Sequence, residues 1–150
     1  MPERIDNFDG MYAFLSNFYL TPVVFEDLTY PSSECAFQAA KCANPDDRIP
    51  FTRMLPGAAK RAGRQVQLRR DWDAMRDEVM EEILRDKFTR TPALRDALLA
   101  TGDAELIEGN YWHDNYWGAC TCPTCAGKIH RNRLGELLMK LRRELQEEPA

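Results

Sequence analysis

The stretch Tyr30-Pro-Ser-Ser-Glu-Cys-Ala-Phe-Gln-Ala-Ala-Lys41 constrains the fold of this chain most. Ser32 or Ser33 supplies an N-cap for a helix over Glu34–Cys42. Ala36, Ala39, Ala40 and Ala43 favour the helix and keep it slim, so neighbouring elements can approach its backbone closely. Asn44-Pro45 ends it. Residues seven apart lie about 20° apart around a helix and roughly 10 Å apart along it, so Glu34, Gln38 and Lys41 share one face. The helix N-terminus stabilises the Glu34 carboxylate as an anion. Two readings of this face stay open. It is a solvated polar stripe with Phe37 and the alanines inward, or a carboxylate and an amine meeting on a ligand laid across Gln38.

With 150 residues, 44% hydrophobic and 29% charged, the chain has the composition of one globular domain, expected to span 1–150. No apolar run approaches the roughly 20 residues of a membrane span. The opening residues lack a basic segment followed by an apolar one, so the cytoplasm is the expected location. The net charge of −4 conceals a basic run of Lys60, Arg61, Arg64, Arg69 and Arg70, and a second cluster of Lys128, Arg131 and Arg133. Local basic patches on an acidic protein suit a phosphorylated ligand, or are solvated faces.

Pro22–Phe25 and Leu28–Tyr30 read as a hairpin turning at Glu26-Asp27. Asp46–Phe51 and Pro56–Gly63 read as short helices broken at Pro50 and Pro56. In Trp72–Arg90, Met75, Val79, Ile83 and Lys87-Phe88 fall on one stripe at helical period, with Met80 and Leu84 widening it. Thr91-Pro92 starts another helix, with Leu94, Leu98 and Leu99 inward. Glu105–Glu108 is a candidate strand, and Leu134–Leu145 a final amphipathic helix. The fold class is α+β, predominantly helical, with a small β-sheet.

Gly109–Gly118 interleaves Tyr111, Trp112, Tyr116 and Trp117 with Asn110, His113, Asp114 and Asn115. Aromatic faces stack on bases or sugars, and Asn and Asp direct hydrogen bonds; the same aromatics also serve to anchor a loop to a core. His113 is an acid–base candidate. Cys120, Cys122 and Cys125 have a metal-like C-x-C-x-x-C spacing, which yields either a structural zinc site with His130 as fourth ligand or three reduced thiols. Cys35 and Cys42 read as small packing residues, since an odd cysteine count argues against a disulfide framework.

Phe14-Leu-Ser-Asn-Phe18, the Tyr30–Lys41 stretch, Gly63-Arg64, Arg70-Asp-Trp-Asp73, Val79-Met80, Leu106–Trp112, Asp114, Trp117-Gly118, Asn132-Arg-Leu-Gly135 and Leu138-Met139 occur in order. Together they resemble the NADAR (YbiA-like) family over almost the whole chain. The resemblance implies hydrolysis of an N-glycosidic bond at ribose C1′. Family members act on ribosylamino-pyrimidine intermediates of riboflavin synthesis, or remove ADP-ribose from the amino group of guanine. It implies catalytic roles for Glu34, Lys41 and Asp114, and a substrate site including Ser16, Asn17, Phe18, Gln38, Arg64, Asn110, Trp112 and Trp117. No cofactor is expected for catalysis, and a structural zinc stays open. The family's histidine after the helix glutamate is replaced here by Cys35, so that proton-transfer role is lost. ADP-ribosylated guanine is the favoured substrate; a ribosylamino-pyrimidine, or a non-catalytic module binding ADP-ribose or NAD, are the alternatives.

Overall fold

A computed structural model describes residues 2–148. The strands are β1 (Arg4–Ile5), β2 (Leu20–Phe25), β3 (Leu28–Ser32), β4 (Glu105–Leu106), β5 (Gly109–Asn110) and β6 (Ala119–Cys120). The α-helices are α1 (Ser33–Ala40), α2 (Pro56–Ala62), α3 (Trp72–Arg90), α4 (Pro92–Ala100) and α5 (Arg133–Glu147). The fold is α+β and mainly helical, and among the described residues the expected small sheet takes the form of three two-stranded pairs. The chain forms two compact units, one of residues 17–92 and the other of residues 1–16 with 93–150.

In the 17–92 unit, β2 and β3 pair antiparallel, with Val23 opposite Tyr30 and Phe25 opposite Leu28. Glu26 and Asp27 both take positive φ, as a two-residue hairpin turn requires. The register shifts between Leu20 and Val23, a place where Pro22 costs no ladder hydrogen bond. All eight residues of α1 are buried, and the hairpin, α2, α3 and the 3₁₀ segment Pro45–Arg53 pack around it. The alanines make this possible, since a helix surrounded by backbone on several sides has no space for long side chains. Pro50 does not break the 3₁₀ segment, which runs on to Arg53. A proline in a short i→i+3 helix removes a single donor, and the tighter turn accommodates it. Cys35 and Cys42 are fully buried packing residues, as expected.

α3 spans the residues expected of it and buries Val79, Met80, Ile83, Leu84 and Phe88. Met75 is half-buried. Lys87 sits on the same stripe, fully buried, with its Nζ 5.0 Å from the centroid of Phe88 and 5.8 Å from that of Tyr19. Burial pushes its pKa down to about 7.

In the other unit, β1 and β4 pair in parallel, as do β5 and β6. The expected strand Glu105–Glu108 shortens to Glu105–Leu106, though Ile107 N still donates to Ile5 O. α5 packs against β4 and buries Leu134, Leu137, Leu138, Leu141 and Leu145. Each such leucine contributes about 1.5–3 kcal/mol. In α4, Leu94 and Leu98 are buried and Leu99 half-buried. Asn132, left-handed at φ 47°, precedes α5; its Oδ1 accepts from Glu108 N and its Nδ2 donates to Leu106 O. A Cβ on Gly135 would lie 2.0 Å from Leu106 O, so only glycine lets the helix come this close. The Asn132-Arg-Leu-Gly135 motif is thus a clamp between α5 and the β4–β5 segment.

Lys87 sets a pH signature for stability. Its folded pKa lies below the unfolded value of 10.5, so unfolding takes up a proton between about pH 7 and 10.5. This residue therefore adds stability as pH rises through that window. Urea titrations of wild type and Lys87→Met should give stabilities whose difference shifts toward wild type from pH 7 to 10; a pH-independent difference would contradict a buried, titrating lysine.

Candidate active site

Glu34 occupies the first turn of α1. Its N–H donates to Asn17 O at 2.9 Å, while Ser33 Oγ donates to Asn17 Oδ1 at 3.0 Å. Ser32 is the N-cap, its Oγ accepting from Cys35 N. Asn17 Nδ2 reaches Met80 Sδ at 3.6 Å, so Asn17 ties the start of α1 to α3. Its role in this unit is to fix the direction in which Glu34 leaves the helix.

Glu34 is 7% exposed and Gln38 5%. The face they share is therefore not a solvated stripe. Gln38 Nε2 donates to Glu34 Oε1 at 2.8 Å, which fixes the carboxylate one turn away. A Cβ on Gly63 would lie 1.9 Å from Gln38 Oε1 and 2.7 Å from its Cδ. The Gly63-Arg64 pair thereby has a physical reason for its first member: glycine at the end of α2 leaves the space the Gln38 amide fills.

Lys41 caps α1 at its C-terminal end, half-buried, with Nζ 5.7 Å from the Phe37 ring centroid. Burial lowers its pKa; the Glu34 charge opposes this, and Arg64 and Lys60 add to it. The electrostatic environment of Lys41 thus includes the carboxylate and two cations from the α2 region. Lys60 Nζ stands 5.8 Å from the ring centroid of Phe18, which is 44% exposed. Arg61 and Arg64 are exposed, whereas Arg69 is engaged by Asp71 through two hydrogen bonds of 2.7 and 2.9 Å. The exposed arginines of the basic run are therefore Arg61, Arg64 and Arg70. Cys35, at the family's histidine position, turns its thiol into the core and donates to Met54 O at 3.1 Å.

In the other unit, a cleft of about 270 Å³ is lined by Ser16, Asn110, Trp112 and Thr121, with Asn7–Asp9 and Glu108–Tyr111 completing the wall. Three expected substrate-site residues, Ser16, Asn110 and Trp112, meet here. Tyr111 and Trp112 are 77% and 46% exposed and contact edge-on, which leaves aromatic surface open to a ligand. Asn110 is buried; its Nδ2 donates to Asp114 O at 2.8 Å and its Oδ1 accepts from Asp114 N. Asp114 Oδ1 accepts from the backbone N–H groups of Tyr116 and Trp117 at 3.1 and 2.9 Å. That oxygen shapes the loop by accepting from its backbone. Trp117 is half-buried against the edge of Tyr116, and the carbonyls of Asn115, Tyr116, Trp117 and Gly118 accept from the backbone N–H groups of residues 131, 133, 134 and 132 in turn.

His130, the expected fourth metal ligand, is not among the residues grouped with the three thiols. His130 Nε2 faces Cys125 O at 2.9 Å, so its reach is taken up by a carbonyl. The imidazole that meets the thiols is that of His113, the acid–base candidate of the aromatic loop. The chain between His113 and Cys120 folds back through the β5–β6 pair, so the histidine before the cysteines lies nearer than the one after them. The H-x₆-C-x-C-x-x-C spacing held that signal.

Residues 6–146 match the NADAR domain. The chain is 39% identical over 151 residues to the N-glycosidase YbiA of Escherichia coli, covering 97% of this chain and 91% of that protein. It is also 39% identical over 143 residues to a riboflavin biosynthesis protein of Vibrio vulnificus, covering 93% of this chain but 37% of that longer protein. The NMR structure of Escherichia coli YbiA superposes with a TM-score of 0.81 at 36% identity, covering all of this chain and 92% of that one. The chain belongs to the NADAR domain family.

Proposed function

We propose that this protein is an N-glycosidase that cleaves a ribose C1′–N bond, and that it removes ADP-ribose from the amino group of guanine. One observation carries the reading: a buried carboxylate, Glu34, is held by Gln38 on the same short helix as Lys41, an amine whose pKa is lowered. The names of the relatives, an N-glycosidase and a riboflavin biosynthesis protein, support the class of bond. The exposed Arg61 and Arg64, with Lys60, favour a diphosphate-bearing sugar, because arginine forks bind phosphate oxygens.

Glu34 supplies and removes protons at the ribose ring oxygen and the leaving amine. In a direct route, the C1′–N bond breaks through an oxocarbenium-like state that the carboxylate stabilises, and water adds to C1′. In a covalent route, protonation of the ring oxygen opens the sugar as the exocyclic nitrogen forms an imine with C1′. Lys41 Nζ then attacks C1′ and displaces guanine's amine, and water hydrolyses the lysine imine. Only the second route requires a neutral Lys41, which its lowered pKa favours.

The name of the Vibrio relative favours a second substrate, a ribosylamino-pyrimidine. Offered both substrates, the protein should release free ADP-ribose from a guanine-modified oligonucleotide at the higher kcat/KM. Turnover of the ribosylamino-pyrimidine alone would transfer the activity to riboflavin chemistry. Binding of ADP-ribose without any release would make the protein a binding module.

The covalent route sets a pH dependence. Activity rises as Lys41 loses its proton, so the alkaline-going limb of kcat lies below the ordinary lysine value of 10.5. Arg64 lowers the Lys41 pKa, so Arg64→Ala should move that limb to higher pH at saturating substrate. An unmoved limb, with only KM raised, would confine Arg64 to phosphate binding. Borohydride added during turnover should leave a reduced sugar adduct on Lys41; no adduct under turnover would favour the direct route.

A further inference from the structure

We propose that His113, Cys120, Cys122 and Cys125 form a structural zinc site that builds one wall of the cleft at Asn110 and Trp112. His113 Nδ1 lies 3.4 Å from Cys122 Sγ, 3.4 Å from Cys125 Sγ and 3.8 Å from Cys120 Sγ. All four ligand atoms fall within 4.8 Å of one another. Zinc bonds of about 2.3 Å to sulfur and about 2.0–2.1 Å to nitrogen, at tetrahedral angles, place N and S about 3.6 Å apart. The three separations bracket that value. Four side chains therefore converge on one point, at separations on the scale of a tetrahedral zinc shell.

The surroundings are those of a ligand set as well. Cys122 N points at Cys120 Sγ at 3.5 Å, the backbone support that a thiolate accepts in a metal knuckle. Cys125 N donates to Cys122 O, closing the short turn that brings Cys122 and Cys125 together. His130 Nε2 at Cys125 O fixes the same turn from outside. His113 adopts a left-handed backbone at φ 71°, unusual for a residue other than glycine, and this is the conformation that turns its ring toward the sulfurs. Cys120 and Cys125 are buried, Cys122 is half-buried and His113 is exposed, and four protein ligands suit a structural site rather than a catalytic one, which keeps a position open. On binding, Zn²⁺ displaces the three thiol protons to solvent and takes the lone pair of neutral His113 Nδ1, leaving one net negative charge on the site.

The site is joined to the cleft through its ligands' neighbours. Trp112 precedes His113, and Thr121 stands between Cys120 and Cys122; both line the cleft. Thr121 N and Oγ1 each donate to Asn110 O, at 2.7 and 3.1 Å. Cys120 N donates to Asn115 Oδ1. The metal thus holds the two ends of the aromatic loop at a fixed separation.

Full-length protein purified without a histidine tag should contain one zinc per chain by mass spectrometry of the metal. Replacing zinc with Co²⁺ should give intense thiolate-to-cobalt charge-transfer absorption and the strong visible bands of tetrahedral cobalt. His113→Ala should lose those bands, and His130→Ala should keep them. Removing zinc from the wild-type chain should abolish protection of the Cys120 and Thr121 amides against hydrogen exchange. Substoichiometric zinc together with a featureless cobalt titration of the wild type would overturn the site, without recourse to any variant. Loss of the bands in His130→Ala and their retention in His113→Ala would overturn the ligand assignment, and unchanged amide protection would overturn the link to the cleft.

Discussion

The burial of α1 on every side is the constraint from which the chemistry of the 17–92 unit follows. A helix with no exposed residue has to pack backbone against backbone, and alanine at three of its eight positions permits that. Any polar side chain on such a helix is desolvated together with its surroundings. Glu34 is tolerable there because Gln38 donates to it and because it sits at the positive end of the helix. Lys41, at the opposite end, pays for burial by losing basicity. The same packing that makes the helix a core element therefore produces a fixed carboxylate and an amine easier to deprotonate.

Much of this was legible in the sequence. The period-3.6 stripe of Val79, Ile83 and Leu84 in α3, the leucines of α5 and the serine cap of α1 are local signals, and local signals specify helices well. The face shared by Glu34 and Lys41 was legible as geometry, but its burial was not. Whether a polar stripe meets solvent depends on what packs over it, and Gly63, distant in sequence, helps decide this through a space only visible in three dimensions. Lys87 shows the opposite case, since a charged residue on an apolar stripe gives no sign that it will be fully enclosed.

The loop after β5 was legible in composition and not in roles. His113 is an acid–base candidate by its residue type, while the roles expected of Asn110 and Asp114 rest on the family resemblance. In the fold, Asn110 and Asp114 spend their side chains on backbone groups of the same loop, and His113 turns to three thiols. Asn132 and Gly135, which look like an ordinary helix start, hold that helix to Leu106 and Glu108. Short strand pairs need such side-chain ties, because two-residue ladders supply few hydrogen bonds of their own.

The claim that α1 carries the reaction rests on two side chains with different chemistry and a common setting. Single-turnover release of ADP-ribose from a guanine-modified oligonucleotide by Glu34→Gln and Lys41→Ala, with folding checked by circular dichroism, tests it most directly. The account predicts folded proteins in which both substitutions abolish release, a loss of at least about a hundredfold for a proton-transfer group. Near-normal rates in both variants would place the reaction elsewhere in the chain.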